Sequence, residues 1–136
     1  MEPVATPRVL LADDHQSMLE QTSAILREFE VIGTVRNGRD AIAEVQRLDP
    51  DVLVIDISMP VLNGLQAASH LQSLHCRTKI VFLTVHEDKD FVAAAFSVGA
   101  SGYVVKSRMS SDLVAAIREV LQGHTFVSQS IRLKSR

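Results

Sequence analysis

The sequence predicts an α/β domain, a doubly wound parallel sheet of five strands with helices on both faces. Three observations lead there. Short runs rich in Val, Ile and Leu alternate five times with longer segments of helical period, as do strands covered on both sides and the helices that cover them. The chain has 136 residues, of which 46% are apolar, enough for one domain with a full core. Finally, two of the apolar runs end on carboxylates, Asp13-Asp14 and Asp56, at the carboxyl edge where such sheets bind ligands.

The first strand is expected over residues 9–12. A helix follows in which Met18, Thr22, Ile25, Leu26 and Phe29 share a stripe and Asp14 is placed to cap the start. The second strand, 31–35, leads through the turn pair Asn37-Gly38 to a helix burying Ala41, Ile42, Val45 and Leu48, which must stop before Asp49-Pro50. The third strand, 52–55, precedes a helix marked by Leu65, Ala68, Leu71 and Leu74. The fourth, 80–84, precedes a helix at about 89–98 carrying Phe91, Val92, Ala95 and Phe96, with Gly99 at the left-handed cap. After a strand at 103–105, the last helix opens with Ser110-Ser111-Asp112, buries Leu113, Ala116, Ile117, Val120 and Leu121, and stops at Gly123. Residues 1–7 form an extension, 8–123 the folded domain, and 124–136 a tail or the start of a linker.

Composition removes several classes of function. A net charge of -2 and a pI near 6.2 give no electrostatic footprint for nucleic acid. No apolar stretch approaches the roughly 20 residues of a membrane span. Residues 1–7 lack the basic and apolar regions of a signal peptide, and the single Cys76 cannot form an internal disulfide, so a cytoplasmic setting is expected. His70, His75 and Cys76 match no usual zinc spacing and read as a solvated helix end. His15 belongs at the rim of the acidic edge.

At the carboxyl ends of the predicted strands stand Asp13, Asp14, Asp56, Thr84 and Lys106. Each alone has a plain explanation as a strand end or cap. Together, three carboxylates, a hydroxyl and a lysine suit phosphoryl chemistry, in which a magnesium ion and a cation neutralise a highly charged centre.

The ordered series Asp13-Asp14, Asp56 within Val-Ile-Asp-Ile-Ser-Met-Pro-Val-Leu-Asn-Gly, Thr84, and Gly99-Ala100-Ser101-Gly102-Tyr103-Val104-Val105-Lys106 resembles the receiver domain of bacterial two-component response regulators. The stretch Gly-Tyr-Val-Val-Lys-Ser and the ending Ile117 to Gly123 look most like receivers of NarL/LuxR-type transcription regulators. The resemblance spans about residues 8–123. It implies a flavodoxin-like (βα)5 fold of strand order 2-1-3-4-5 and a signalling phosphoacceptor rather than a general enzyme. It further implies Asp56 as phosphoacceptor, Mg2+ held by Asp14, Asp56 and the Ser58 backbone carbonyl with Asp13 acting mainly through water, and Lys106 and Thr84 as readers of the phosphoryl group. Thr84 and Tyr103 would form the switch. The implied partners are a sensor histidine kinase, a second copy on phosphorylation, and DNA only through a C-terminal helix-turn-helix domain outside this chain.

Two departures from the family pattern matter. Ser107 follows Lys106 where proline is common with a cis bond, and a non-proline cis bond costs about 2.5–4 kcal/mol. Val85 is bulkier than the usual neighbour of Thr84, which predicts restricted access of water and slower self-dephosphorylation. Ser58 and His86 occupy the other rate-tuning positions. Met59-Pro60 and Asn63-Gly64 shape the acceptor loop. A stand-alone receiver, acting as a phosphorelay shuttle or docking switch, is the main alternative. A magnesium-dependent aspartyl phosphohydrolase fits less well, since its nucleophile usually follows the first strand beneath a cap. An FMN binder also fits poorly, because Asp13-Asp14 would repel the phosphate.

Overall fold

In the computed structural model, which describes residues 5–129 and 131, the strand residues pack as the alternation requires. The strands are β1 (Arg8–Ala12), β2 (Glu30–Val35), β3 (Val52–Ile55), β4 (Lys79–Thr84), β5 (Gly102–Val105) and β6 (Phe126–Val127). They form one sheet in the order β2-β1-β3-β4-β5-β6, with every pairing parallel. The helices are α1 (Gln16–Ile25), α2 (Gly38–Leu48), α3 (Gly64–Ser73), α4 (Lys89–Ser97) and α5 (Met109–Leu121). This is the expected doubly wound α/β fold with one short strand added.

Side chains of a strand point alternately to its two faces. Leu10, Ala12, Leu53, Ile55, Phe82, Tyr103 and Val105 accordingly pack with Ala41, Val45, Ala67, Leu71 and Ala95 of α2, α3 and α4. Val9, Leu11, Val52, Val54, Val81, Leu83 and Val104 pack on the other face with Leu19 of α1 and Leu113, Ala116, Ile117 and Val120 of α5. No helix among the described residues is long and apolar enough to cross a membrane.

The sheet reverses its winding beside β1, whose neighbours are β2 on one side and β3 on the other. A crevice opens at such a reversal. The β1–β3 ladder ends with Ala12 opposite Ile55, and the Asp56 amide still donates to the Ala12 carbonyl at 3.0 Å. Asp13 and Asp56 therefore leave the sheet side by side, one interstrand spacing of about 4.8 Å apart.

Several elements differ from expectation. The tail is not all linker: Phe126 and Val127 pair with Gly102 and Tyr103, Ser128 is fully buried and Ile131 is 2% exposed. The Ser128 hydroxyl accepts from the Val105 amide at 3.1 Å, so β6 satisfies donors that an edge strand would leave open. Asp14 does not cap α1. The N-cap is His15, which makes no side-chain cap bond, and it is Asp13 Oδ1 that accepts from the His15 amide at 2.9 Å. Helix α1 ends at Ile25, which leaves Phe29 buried in the following loop.

Asn37 caps α2 by accepting from the Asp40 amide, so Asn37-Gly38 is a helix start rather than a free turn. Leu74 and Leu121 are 44% and 36% exposed, because each lies at the end of its helix, where the buried stripe has turned away. Helix α5 begins at Met109, and Asp112 sits inside it, bonded to Arg108. Gly99 takes φ +96°, as its cap position predicts.

Candidate functional site

Sequence-predicted site residues converge at the carboxyl edge. Lys106, just past β5, places Nζ 2.8 Å from Asp13 Oδ2 and 2.8 Å from Asp56 Oδ2. The Asp13 and Asp56 side chains are 7% and 6% exposed, and Lys106 is 10% exposed. Burial alone would lower the Lys106 pKa, but hydrogen bonds and charge attraction from Asp13 and Asp56 outweigh it and hold the ammonium above its ordinary value.

Asp14 lies beside this pair with its side chain 32% exposed. Its Oδ1 is shielded from solvent and accepts no hydrogen bond, and the same is true of Asp56 Oδ1. His15 Nδ1 stands 3.1 Å from Asp14 Oδ1 and is hydrogen-bonded to Asp13 Oδ1 at 3.3 Å. Two carboxylates thus share one ammonium with a third beside them, and two shielded oxygens accept no hydrogen bond. Such atoms are costly unless a cation or donor completes them. The donors are hard oxygens, the kind that suit Mg2+. Among the described residues, one group of His, Cys, Asp and Glu atoms is close enough to share an ion, that of Asp13, Asp14 and His15. His70, His75 and Cys76 form no such group.

The loop after β3 is set by close backbone approach. A Cβ on Gly64 would fall 2.0 Å from the Asp56 carbonyl oxygen, and one on Gly38 would fall 2.3 Å from that of Leu62. Only glycine fits either position. Asn63 and Gln66 add a reciprocal capping box at the start of α3. In the same loop Val61 takes φ +69°, a conformation costly for a β-branched residue.

The predicted switch residues are linked through His86. Thr84 is fully buried, and its Oγ1 accepts a long contact from the His86 amide at 3.4 Å. Tyr103 is also fully buried, and its hydroxyl donates to the His86 carbonyl at 2.8 Å. The hydroxyl is therefore not in water, as a plain strand-end tyrosine would have it. Burial first, then the charges of Asp88, Asp56 and Glu87, push its pKa upward, so it stays a donor. The His86 ring stacks on Phe91 with centroids 4.2 Å apart, and its Nε2 lies 3.0 Å from Ser58 Oγ. Sequence reasoning placed these residues separately but missed that the His86 backbone joins Thr84 to Tyr103. Val85 projects outward, 66% exposed. Among the described residues no peptide bond is cis, so that between Lys106 and Ser107 is trans.

This sheet-edge constellation defines a signalling receiver. The family model of the response regulator receiver domain matches residues 9–118, and the chain belongs to that family. Within it, the chain is of the NarL/LuxR type. It is 32% identical over 127 residues to the transcriptional regulatory protein DegU of Brevibacillus brevis, covering 91% of this chain and 54% of that protein. The chain thus spans about half the length of that relative. A LuxR-family two-component response regulator from Aurantimonas sp. SI85-9A1 superposes with a TM-score of 0.89 at 31% identity, covering 95% of this chain and 94% of the other. The receiver domain of the putative response regulator NarL from Mycobacterium tuberculosis superposes with a TM-score of 0.85 at 26% identity, covering 89% and 100%. Receiver domains generally bind Mg2+ at an acidic pocket and are phosphorylated by histidine kinases.

Proposed function

We propose that this chain accepts a phosphoryl group on Asp56 from a phosphohistidine of a sensor kinase and thereby switches the face built from α4, β5 and α5. The observation that carries the reading is the charge arrangement: one ammonium shared by Asp13 and Asp56, with unpartnered buried oxygens on Asp14 and Asp56. An Asp56 oxygen attacks phosphorus, the bond from phosphorus to the donor imidazole nitrogen breaks, and that nitrogen keeps the electron pair.

Asp14, Asp56 and the Ser58 carbonyl hold Mg2+, with Asp13 acting through water; the ion supplies charge neutralisation for the incoming phosphoryl oxygens. Lys106 exchanges its contact with Asp56 for one with a phosphoryl oxygen, as a point charge. Thr84 donates its hydroxyl to another. Because the His86 backbone contacts both Thr84 and Tyr103, a shift of Thr84 reaches the buried tyrosine and α4. Ser58, Val85 and His86 tune the lifetime of the acyl phosphate.

The name of the relative DegU as a transcriptional regulator supports an output in transcription, through a helix-turn-helix domain in a longer cytoplasmic protein and through pairing of two receivers. Incubation with Mg2+ and acetyl phosphate should add an acid-stable, base-labile phosphoryl group at Asp56. Labelling that persists unchanged in Asp56→Asn overturns the assignment.

A further inference from the structure

The face of α4, β5 and α5 is not bare, because the chain returns after α5 and lies along the outer edge of β5. The Phe126 amide donates to the Ser101 carbonyl at 3.0 Å and the Ser128 amide to the Tyr103 carbonyl at 2.9 Å. In return the Val105 amide donates to the fully buried Ser128 hydroxyl. Val127 and Ile131 pack in the cluster that holds Tyr103, Val105 and Ala95 of α4, whereas Phe126 packs in the cluster of α5. The segment therefore sits between α4 and α5. It grips the strand that carries Tyr103 and runs into Lys106.

Its attachment suits release. Strand β6 is two residues long, residues 122–125 that join it to α5 are exposed, and Gly123 takes φ +86° with nothing within 4 Å of where a Cβ would stand. A short edge strand behind an open glycine belongs to the low-stability end of a fold and can swing as a unit. We propose that this segment is a latch, docked on β5 while Asp56 is free and released when Asp56 carries a phosphoryl group. The two states differ in their contacts at one strand. As Lys106 turns to the phosphoryl group and Tyr103 shifts, the Val105 amide bond to Ser128 and the packing around Ile131 are both disturbed, and these are what hold the latch. By linkage, loosening the latch favours the phosphorylated form by the same factor. The inference rests on Asp56 as phosphoacceptor.

The test is amide hydrogen exchange of the whole chain, read residue by residue by NMR with Mg2+ alone and with Mg2+ and beryllium trifluoride, a stand-in for the phosphoryl group whose binding 19F NMR reports. With the mimic bound, exchange at the Val105, Phe126 and Ser128 amides should quicken about tenfold, while Leu11 and Val54, paired in the β1–β3 ladder, should not quicken. Ile131→Ala, which loosens the latch without touching the acidic edge, should bind the mimic several-fold more tightly. Bound mimic with unchanged or slower exchange at the three amides, or unchanged affinity in Ile131→Ala, overturns the latch and leaves the phosphoacceptor reading standing. Absence of bound mimic from the native protein, or its persistence in Asp56→Asn, overturns that reading and the latch with it.

Discussion

Replacing Lys106 by methionine keeps the length of the side chain and removes its charge from between Asp13 and Asp56. Two charge-assisted hydrogen bonds of 2.8 Å are lost, and buried carboxylates are left facing one another. Removing one partner of a buried ion pair costs about 3–5 kcal/mol. The variant also escapes the cost of burying an ammonium, so about 3 kcal/mol is the expected loss at neutral pH. Against a total of roughly 5–15 kcal/mol for a domain of this kind, the variant should fold but unfold at clearly lower urea. Urea titration with and without Mg2+ measures this, read as a change in midpoint at constant slope. Mg2+ should stabilise the variant more than the native protein, since a cation binding only the folded state replaces the missing charge. A loss below about 1 kcal/mol, or equal stabilisation of both proteins by Mg2+, would refute the view that Lys106 relieves the carboxylate crowding.

Asp51 has its pKa lowered chiefly by the Arg8 amide, against burial and with help from Arg77. Its stabilisation is therefore complete above the ordinary carboxylate value of about 4 and is lost as pH falls through the depressed folded value; urea midpoints of the native protein and Asp51→Asn should converge as pH falls below about 4. Val61→Gly should raise stability by about 0.5–1 kcal/mol, because relief of a left-handed β-branched residue exceeds the entropy glycine adds to the unfolded chain, and an equal loss on urea titration would contradict the strain. Ser128→Ala strands the buried Val105 amide and should cost about 1–3 kcal/mol; a neutral result would mean β6 is not held as described. Val85→Ala should speed loss of phosphate from the labelled protein with little change in stability, and an unchanged decay rate counts against any shielding by Val85.

The strands were legible because short runs rich in Val, Ile and Leu, such as Val52–Ile55, have few other uses in a chain punctuated by helical stripes. The convergence of Asp13, Asp14, Asp56, Thr84 and Lys106 followed from strand order, since each closes a parallel strand. Strand β6 was not legible. Two residues, Phe126 and Val127, show no alternation, and their pairing depends on the exposed edge of β5 rather than on their own propensity. The bond from Tyr103 to the His86 carbonyl was hidden because a backbone acceptor carries no residue-type signal. The left-handed Val61 was hidden because valine argues against that conformation.

The spacing of Asp13 and Asp56 comes from backbone, not side chains. Ala12 faces Ile55 in the ladder, and the next amide closes the same pattern. The sheet thus acts as a ruler for the acidic edge: its dimension is inherited from hydrogen bonds that every sequence makes alike. Under the proposed phosphoacceptor role, loop residues such as Ser58, Val85 and His86 would be free to vary and set chemical lifetime without disturbing that distance. On that proposal geometry and timing would be separate variables, one written in the ladder and the other in the loops.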